Sequence, residues 1–270
     1  MKGKLLSIYK PVGVSSFRAL GELKKQYDTK KVGHMGTLDP LAEGVLAVAV
    51  GEATKLIPYV VTEPKEYECE ITFGIESETL DAEGLDDNVV AEEVHFSQDD
   101  LEAALGSFVG KYDQVPPIFS AVHIDGKRAY DLARKGEIKE GDLKSREVEC
   151  MEMEILKFEL PVVVLRLVVG SGYYVRSLVR DLARELGVKA YMSGLKRTKV
   201  GGFEGEGEMD FEKVLVEHTR IDLSEEDFKL VRHGMEIRGQ GELVLGYYQD
   251  ELVAILKAEG SGLKVVKNLL

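Results

Sequence analysis

Residues 33–44 read GHMGTLDPLAEG, and this stretch carries more information than any other part of the chain. Its three glycines permit backbone conformations and close approaches that a Cβ atom would prevent. Pro40 fixes its own φ angle and favours an extended backbone at Asp39. A lone carboxylate on such a stiffened loop is well suited to act as a nucleophile. On local chemistry alone, an ordinary Asp-Pro turn explains the same residues equally well.

The complete string changes this balance, because it resembles the catalytic loop of the TruB family of pseudouridine synthases, which isomerise uridine in the T-arm of tRNA. Other segments resemble family motifs in the same order along the chain: KPVGVSS at 10–16, KEY at 65–67, GYYVRS at 172–177 and LKRT at 195–198. The resemblance extends over about residues 4–215 and fades towards the C-terminus.

The hydrophobic pattern predicts strands and helices that do not alternate regularly. Strands are predicted at 5–9, 45–50, 67–73, 148–158, 162–169, 242–248, 252–258 and 263–267. Helices are predicted at 16–26, 52–61 and 98–108, and in a segment that starts near residue 175. This order favours a mixed α/β (α+β) domain around a largely antiparallel sheet over a doubly wound fold.

The resemblance also implies a domain organisation. A pseudouridine synthase catalytic domain would occupy residues 1–218, and a short module similar to the PUA RNA-binding domain would occupy 219–270. Residues 120–146 are basic and hairpin-like. They correspond to the family's mobile thumb, which clamps the RNA. A solvated surface hairpin is the alternative reading of that segment.

Composition excludes several other classes of protein. With 270 residues the chain can hold one large domain and a small one. No stretch approaches the roughly 20 apolar residues that a membrane helix needs, and no signal-peptide core is present. Cys69 and Cys150 are isolated, and no histidines pair at metal-ligand spacing. We therefore expect a cytoplasmic protein without a metal site.

The net charge of −13 at first argues against nucleic-acid binding. The charge is unevenly distributed, however. Residues 1–60 carry nine Lys and Arg against five Asp and Glu, and residues 111–200 carry seventeen against thirteen. Residues 61–110, in contrast, carry one basic residue against fifteen acidic ones. Because only the field over one face must be positive to attract phosphates, RNA binding stays compatible with the overall charge.

The resemblance assigns roles to individual residues. Asp39 would be the nucleophile, paired with Arg176, and the pair would keep the carboxylate ionised. The predicted catalytic residues are Asp39, Tyr67 and Arg176. The predicted substrate-binding residues are His34, Tyr67, Tyr174 and Leu195. The predicted RNA backbone contacts are Lys127, Arg128, Lys196, Arg197 and Lys199. Arg180 and Arg184 are expected to be phosphate contacts or surface charges.

Isomerisation of uridine needs no redox change and no group donor, so no cofactor is expected. The expected partner is the T-arm stem-loop of tRNA, bound by a monomer without a protein partner. The uracil must leave its stack before it can be attacked, which requires base flipping. A carboxylate can attack either C6 of the base or C1′ of the ribose, and the sequence does not choose between them.

Three rival interpretations remain. Gly170-Ser171-Gly172 hints at dinucleotide binding in an oxidoreductase, but Val175 stands where a third glycine belongs. A catalytically silent RNA chaperone would not need Asp39, Tyr67 and Arg176 together. The third rival is a guide-RNA-dependent synthase of the archaeal and eukaryotic branch. The basic insertion and short tail favour the stand-alone bacterial branch instead.

Overall fold

A computed structural model describes residues 3–86, 89–120, 122–124 and 126–270, and of Arg128 it describes only the backbone. The elements of the first half are β1 (Gly3–Lys10), α1 (Ser16–Gln26), β2 (Val32–His34), β3 (Glu43–Gly51), β4 (Lys65–Phe73), α2 (Gln98–Leu105), β5 (Gly110–Gln114), β6 (His123–Ile124), β7 (Lys127–Arg128) and α3 (Ala129–Ala133). Short 3₁₀ helices lie at Glu52–Tyr59, Ala82–Gly84, Gly106–Phe108 and Glu140–Asp142.

The second half contributes the strands on which the cavity is built and a separate C-terminal sheet. Its elements are β8 (Arg146–Glu159), β9 (Val162–Val169), α4 (Val175–Glu185), β10 (Ala190–Val200), β11 (Phe203–Glu204), β12 (Gly207–Met209), α5 (Phe211–Val214), β13 (Thr219–Asp222), α6 (Glu225–Arg232), β14 (Ile237–Arg238), β15 (Val244–Tyr248), β16 (Glu251–Glu259) and β17 (Gly262–Asn268). In the part of the chain that the structure describes, no helix is long and apolar enough to cross a membrane.

Ten of the described strands form one large sheet in the order β12-β1-β3-β10-β4-β9-β8-β5, with β2 added at β3 and β11 at β10. Its pairs are antiparallel except for β3 with β10, where Glu43 lies opposite Lys196 and Gly44 opposite Arg197 in parallel. This parallel contact joins the end of the 33–44 loop to the LKRT segment. The predicted mixed α/β class with a largely antiparallel sheet is confirmed.

Strand β3 shows why an uninterrupted apolar run indicates a buried strand. Successive side chains of a strand point to opposite faces, so a strand covered on both sides needs apolar residues at every position. Leu46 and Val48 pack with α1, whereas Val45 and Ala47 face the C-terminal sheet. The 33–44 loop that precedes β3 is therefore anchored to one of the most deeply buried strands of the molecule.

Helix α4, which forms where the sequence predicts a helix, packs across the sheet through its apolar side chains. Val175, Leu178, Val179 and Leu182 are buried in the same core as β4 and β9. Arg180 was expected to be a phosphate contact or a surface charge, and this was wrong. Its side chain is 6% exposed and forms ion pairs with Glu140 and Asp181. An arginine enclosed by two carboxylates is not available to RNA phosphates in this conformation.

Two expectations about individual elements need correction. The helix predicted at 52–61 is a 3₁₀ helix at Glu52–Tyr59. It contains Pro58, and proline cannot supply the amide of a regular α-helix. Strand β10 was not predicted at all. Its residues include a serine, a glycine and the run Lys196-Arg197-Thr198-Lys199, so alternation is weak, and the strand exists because β4 and β3 flank it on both sides.

The predicted thumb, residues 120–146, contains the β6–β7 hairpin, α3 and one 3₁₀ turn; its Ala121 and Asp125 lie outside the described residues. Its base is tied to α4, since Ser177 Oγ donates to the Val115 carbonyl at 2.8 Å. Glu140 in the second half of the segment forms ion pairs with Arg180 and Arg184. The segment thus lies against the helix that carries Arg176.

The three predicted C-terminal strands are present as β15, β16 and β17, and β13 and β14 complete a five-stranded sheet. One face of this sheet packs on the large sheet. Leu245, Leu252 and Ile255 share a buried cluster with Leu5 and Val45. Because apolar side chains of both sheets fill one core, the C-terminal sheet is joined to the rest of the molecule by a packed interface.

Candidate active site

A cavity of about 600 Å³ lies between the 33–44 loop, the start of α4 and the edge of β4. The structure brings six of the sequence-predicted residues to its walls: Asp39, Tyr67, Tyr174, Arg176, Leu195 and Arg197. These residues are far apart in the sequence and come from four different elements. The volume is of the size expected for a small-ligand site.

The opening KPVGVSS segment fixes the loop that carries Asp39. Ser16 is 2% exposed; its Oγ donates to the Leu38 carbonyl and accepts from the Leu38 amide, both at 2.9 Å. The Gly13 amide donates to the Pro40 carbonyl at 2.8 Å. These bonds hold the backbone on both sides of Asp39. The sequence marked this segment as a family motif without giving it a role, and the structure shows that it clamps the loop.

Lys10 from the same segment is fully buried, and its ammonium is occupied by backbone carbonyls. It donates to Val14 at 2.6 Å, to Pro11 at 3.0 Å and to Pro40 at 3.5 Å. Burial lowers the pKa of Lys10, and the nearby Asp39 carboxylate opposes that shift. Lys10 therefore has a positioning role towards the loop.

Arg197 was predicted to contact the RNA backbone, and the structure contradicts this. The side chain is 1% exposed, and its guanidinium donates to the carbonyls of Val45 at 2.9 Å, Gly36 at 3.1 Å and Thr37 at 3.4 Å. Gly44, at φ +106°, allows the close approach, since a Cβ atom there would lie 2.2 Å from the Arg197 carbonyl oxygen. Arg197 thus holds the backbone of the 33–44 loop through hydrogen bonds to its carbonyls.

Asp39 and Arg176 form the predicted ion pair. Arg176 Nη2 lies 3.0 Å from Asp39 Oδ2, and the arginine side chain is 10% exposed against 43% for the aspartate. Arg176 also donates to the carbonyls of Thr79 at 3.2 Å and Phe119 at 3.1 Å. The guanidinium is therefore fixed by partners on two other loops, and the carboxylate faces the cavity.

A second carboxylate shares this arginine. Asp81 Oδ2 lies 3.3 Å from Arg176 Nη1, and the Asp81 side chain is 4% exposed. Asp81 also accepts from Thr79 Oγ1 at 2.5 Å and from the Glu83 amide at 3.1 Å. A cation in the first turn of a helix opposes the helix dipole, so two carboxylates compensate Arg176 better than one. Asp81 is not among the site residues predicted from the sequence, because an aspartate that begins a turn is ordinary.

Aromatic and apolar side chains form another part of the cavity wall. Tyr67, on β4, is 9% exposed and lies opposite Arg197 of β10, while Leu195 is half-buried on β10. Tyr174 is positioned by Gln114, a buried side chain that the sequence did not single out. The Gln114 amide accepts from the Tyr174 N–H at 2.8 Å and donates to its carbonyl at 3.1 Å.

His34 lies in β2, opposite Val48, and is not among the residues that line the cavity. Its Nδ1 is buried without a hydrogen-bond partner among the described residues. Burial, assisted by the nearby Arg197, lowers the pKa of His34 and favours the neutral ring. Its insertion into RNA stays a prediction.

The other predicted backbone contacts lie outside the cavity. Lys127 is exposed on β7, and the side chain of Arg128 lies outside what the structure describes. Lys196 and Lys199 are each 44% exposed and pair with Glu68 at 3.4 Å and Glu204 at 3.3 Å. Arg184 is 59% exposed and pairs with Glu140. Surface pairs of this kind contribute little and can be exchanged for a phosphate.

Comparison with known proteins identifies the family. Residues 24–175, more than half of the chain, match the description "TruB family pseudouridylate synthase (N terminal domain)". The chain belongs to the TruB family. Residues 176–233 match the description "tRNA pseudouridylate synthase B C-terminal domain". The resemblance read from the motifs is thereby confirmed.

Individual relatives agree with the TruB assignment. A Clostridium tetani protein named tRNA pseudouridine synthase B is 32% identical over 98% of this chain and 99% of its own length. A Caulobacter vibrioides protein of the same name is 41% identical over 73% of this chain and 63% of its own length. The solved structure of the archaeal box H/ACA sRNP Nop10-Cbf5 complex has a similar fold, with a TM-score of 0.69 at 22% identity over 99% of this chain and 86% of that one.

Membership of the TruB family makes the chain a pseudouridylate synthase, an isomerase. Within the described residues, no three His, Cys, Asp or Glu side chains are grouped so that they could hold a metal ion. The cavity instead offers a carboxylate, an arginine that holds it and an aromatic wall. The carboxylate can act as a nucleophile, and the aromatic wall can stack on a planar base.

Proposed function

We propose that this TruB-family enzyme converts uridine to pseudouridine at position 55 in the T-loop of tRNA, with Asp39 as the nucleophile. The observation that supports this most directly is the Asp39 carboxylate, held 3.0 Å from Arg176 at the wall of a nucleoside-sized cavity. The names of the relatives, tRNA pseudouridine synthase B, supply the substrate class. The T-loop and position 55 follow from the family resemblance of the 33–44 loop.

The proposed chemistry begins when the target uridine leaves the T-loop stack and enters the cavity. Tyr67 stacks on the uracil, and Tyr174 and Leu195 enclose it. The Asp39 carboxylate attacks C6 of the base or C1′ of the ribose, and the N1–C1′ bond breaks. The uracil rotates and C5 forms the new bond to C1′. Finally C5 loses its proton, N1 gains one and Asp39 is released, so the reaction is an isomerisation without a co-reactant.

Arg176 is proposed to act in the same reaction as the group that orients Asp39. Because its guanidinium is also bound by Asp81 and two carbonyls, it can hold the nucleophile without moving towards solvent. Electrostatic groups that are fixed before the reaction need no reorganisation during it. His34 is proposed to support the flipped conformation from outside the cavity, stacking in the RNA as a neutral ring.

The remaining RNA contacts are proposed to come from the thumb, residues 120–146, and from Lys127, Arg128, Lys196 and Lys199. We propose a catalytic domain at 1–218 and a PUA-like RNA-binding module at 219–270. The enzyme is proposed to act as a monomer without a protein partner, in the cytoplasm where tRNA is processed. The guide-RNA-dependent alternative is disfavoured because the relatives named tRNA pseudouridine synthase B are more similar in sequence than the Cbf5 structure.

The test is the Asp39→Asn variant. A neutral amide is a poor nucleophile, so the variant should bind a T-arm stem-loop normally and form no pseudouridine. Formation is measured by tritium release from uridine labelled at C5. Asp113→Asn is the matched control, because Asp113 is an exposed aspartate on β5 outside the cavity. A stem-loop with cytidine at the target position should be inert. Near-normal activity of Asp39→Asn would remove Asp39 from the mechanism.

A further inference from the structure

Lys65 is a half-buried ammonium at the wall of the active-site cavity. It is the first residue of β4, and it lines the cavity together with Gly36 and Thr37. A Cβ atom built on Gly36 would lie 3.8 Å from Lys65 Cε, which places the aliphatic stem directly against the loop. The mechanism outlined above gives this side chain no task.

Lys65 has no directly bonded counter-charge in the part of the chain that the structure describes. Among the described residues, none accepts a hydrogen bond from its ammonium or forms an ion pair with it. Lys10, the other desolvated lysine beside the loop, instead donates to three carbonyls. Asp39 is already paired with Arg176. Lys65 therefore differs from Lys10 in having no partner within the protein.

Two physical effects act against the Lys65 charge. Burial lowers its pKa, and the positive charge of Arg197 lowers it further; the exposed Glu63 carboxylate opposes them with the smallest of the three effects. A desolvated cation without a partner is unfavourable and is stabilised when an anion arrives. Among the described residues no anion bonds to this ammonium, so the incoming substrate is the natural source of one.

We propose that Lys65 binds a backbone phosphate next to the uridine that enters the cavity. This inference rests on the proposed function, because it requires an RNA substrate whose target base is flipped. The ammonium would form a charge-assisted hydrogen bond to a non-bridging phosphate oxygen. Lys65 is then a positioning residue that fixes the flipped nucleotide, while Asp39 carries out the attack.

The position of Lys65 relative to Tyr67 favours a phosphate over the uracil. The two residues are separated by one position, so they lie on the same face of β4. Tyr67 is 9% exposed and belongs to the core, whereas Lys65 is more accessible, at the strand end. If the base stacks on Tyr67, the sugar and its phosphates lie towards the more open end, where Lys65 stands.

The experiment combines protein variants with a neutralised phosphate. Lys65→Met and Lys65→Arg are assayed on T-arm stem-loops that carry an uncharged methylphosphonate either 5′ or 3′ of the target uridine. Lys65→Met should raise KM about 10- to 100-fold on the unmodified stem-loop and change kcat less than about threefold. Lys65→Arg should retain most of the binding. Lys157→Met, which removes an exposed lysine of β8, controls for loss of one charge.

One of the two methylphosphonates should raise the KM of the wild-type enzyme by the factor that Lys65→Met causes on the unmodified stem-loop. On that same methylphosphonate substrate, Lys65→Met should raise KM no further. The proposal is overturned if the effects of Lys65→Met and of the methylphosphonate on KM multiply at both the 5′ and the 3′ phosphate. It is also overturned if neither methylphosphonate affects the wild-type enzyme. A fall in kcat at constant KM would instead mean that the ammonium acts on the uracil, which also overturns it.

Thermal unfolding separates a binding role from a structural one. Because Lys65 is uncompensated in the free enzyme, Lys65→Met should unfold at or above the wild-type temperature. Unfolding at a lower temperature that Lys65→Arg does not restore would show a structural role and contradict the proposal. Failure of the proposed function is a different result, since the wild type would then form no pseudouridine in any T-arm substrate.

Discussion

The two adjacent serines of the opening segment offer a direct test of how the catalytic loop is held. Ser16 Oγ bridges the amide and the carbonyl of Leu38, the residue before Asp39, at 2.9 Å each. Ser15 instead caps α1 by accepting from the Arg18 amide at 3.2 Å and does not contact the loop. Ser15→Ala and Ser16→Ala are thus the same chemical change at neighbouring positions with different partners.

The structure gives the expected magnitudes. Ser16→Ala leaves two buried backbone groups unsatisfied, at about 1–3 kcal/mol each. Allowing for relaxation, the loss of stability should be about 2–4 kcal/mol, or roughly 6–12 °C in Tm. Ser15→Ala removes one exposed cap, worth about 1 kcal/mol or roughly 3 °C. A shift of the loop by about 1 Å would lower kcat up to about 100-fold, so we expect a 10- to 100-fold loss for Ser16→Ala alone.

The assay is single-turnover tritium release from a C5-labelled T-arm stem-loop, together with thermal unfolding of both variants. KM should stay within about twofold of the wild type, because the loop supplies the nucleophile more than it supplies RNA affinity. A Ser16→Ala variant with the kcat of Ser15→Ala would refute the reasoning. The bonds from Gly13 and Lys10 to Pro40 would then be sufficient to place Asp39.

Four further outcomes are expected. Asp81→Asn should lower kcat about 10- to 100-fold at nearly constant KM, because Arg176 loses its second, buried carboxylate; single-turnover rates equal to the wild type would contradict this. Neutralising Lys196 and Lys199 together should flatten the plot of log K against log salt by about 1.4–1.8 if each meets a phosphate, and an unchanged slope would exclude both contacts. Burial raises the pKa of the Cys150 thiol to about 11, so iodoacetamide at pH 8 should modify it about 100-fold more slowly than a free thiol. The folded state keeps the Cys150 thiol protonated to a higher pH than the unfolded state does. Cys150 should therefore stabilise the protein below about pH 8.5 and lose that effect as the pH rises towards 11. Unfolding curves of the wild type and Cys150→Ala at several pH values measure this difference.

The sequence alone determined the family, the nucleophile candidate and much of the secondary structure. This was possible because the informative features are local. The 33–44 string is contiguous, the apolar run of β3 is uninterrupted, and the buried residues of α1 and α4 follow helical spacing. The three C-terminal strands were also found, since each carries a short run of apolar and β-branched residues.

Only the tertiary structure decided which charged residues belong to the interior. Arg197 and Arg180 look like RNA contacts in a basic sequence, yet carbonyls and carboxylates from distant segments enclose them. Asp81 and Gln114 are unremarkable in the sequence because their partners, Arg176 and Tyr174, lie about 60 or more residues away. A hydrogen bond between such segments depends on strand order and packing, which no local pattern encodes. For the same reason, the unpartnered charge of Lys65 becomes visible only when the whole cavity is assembled.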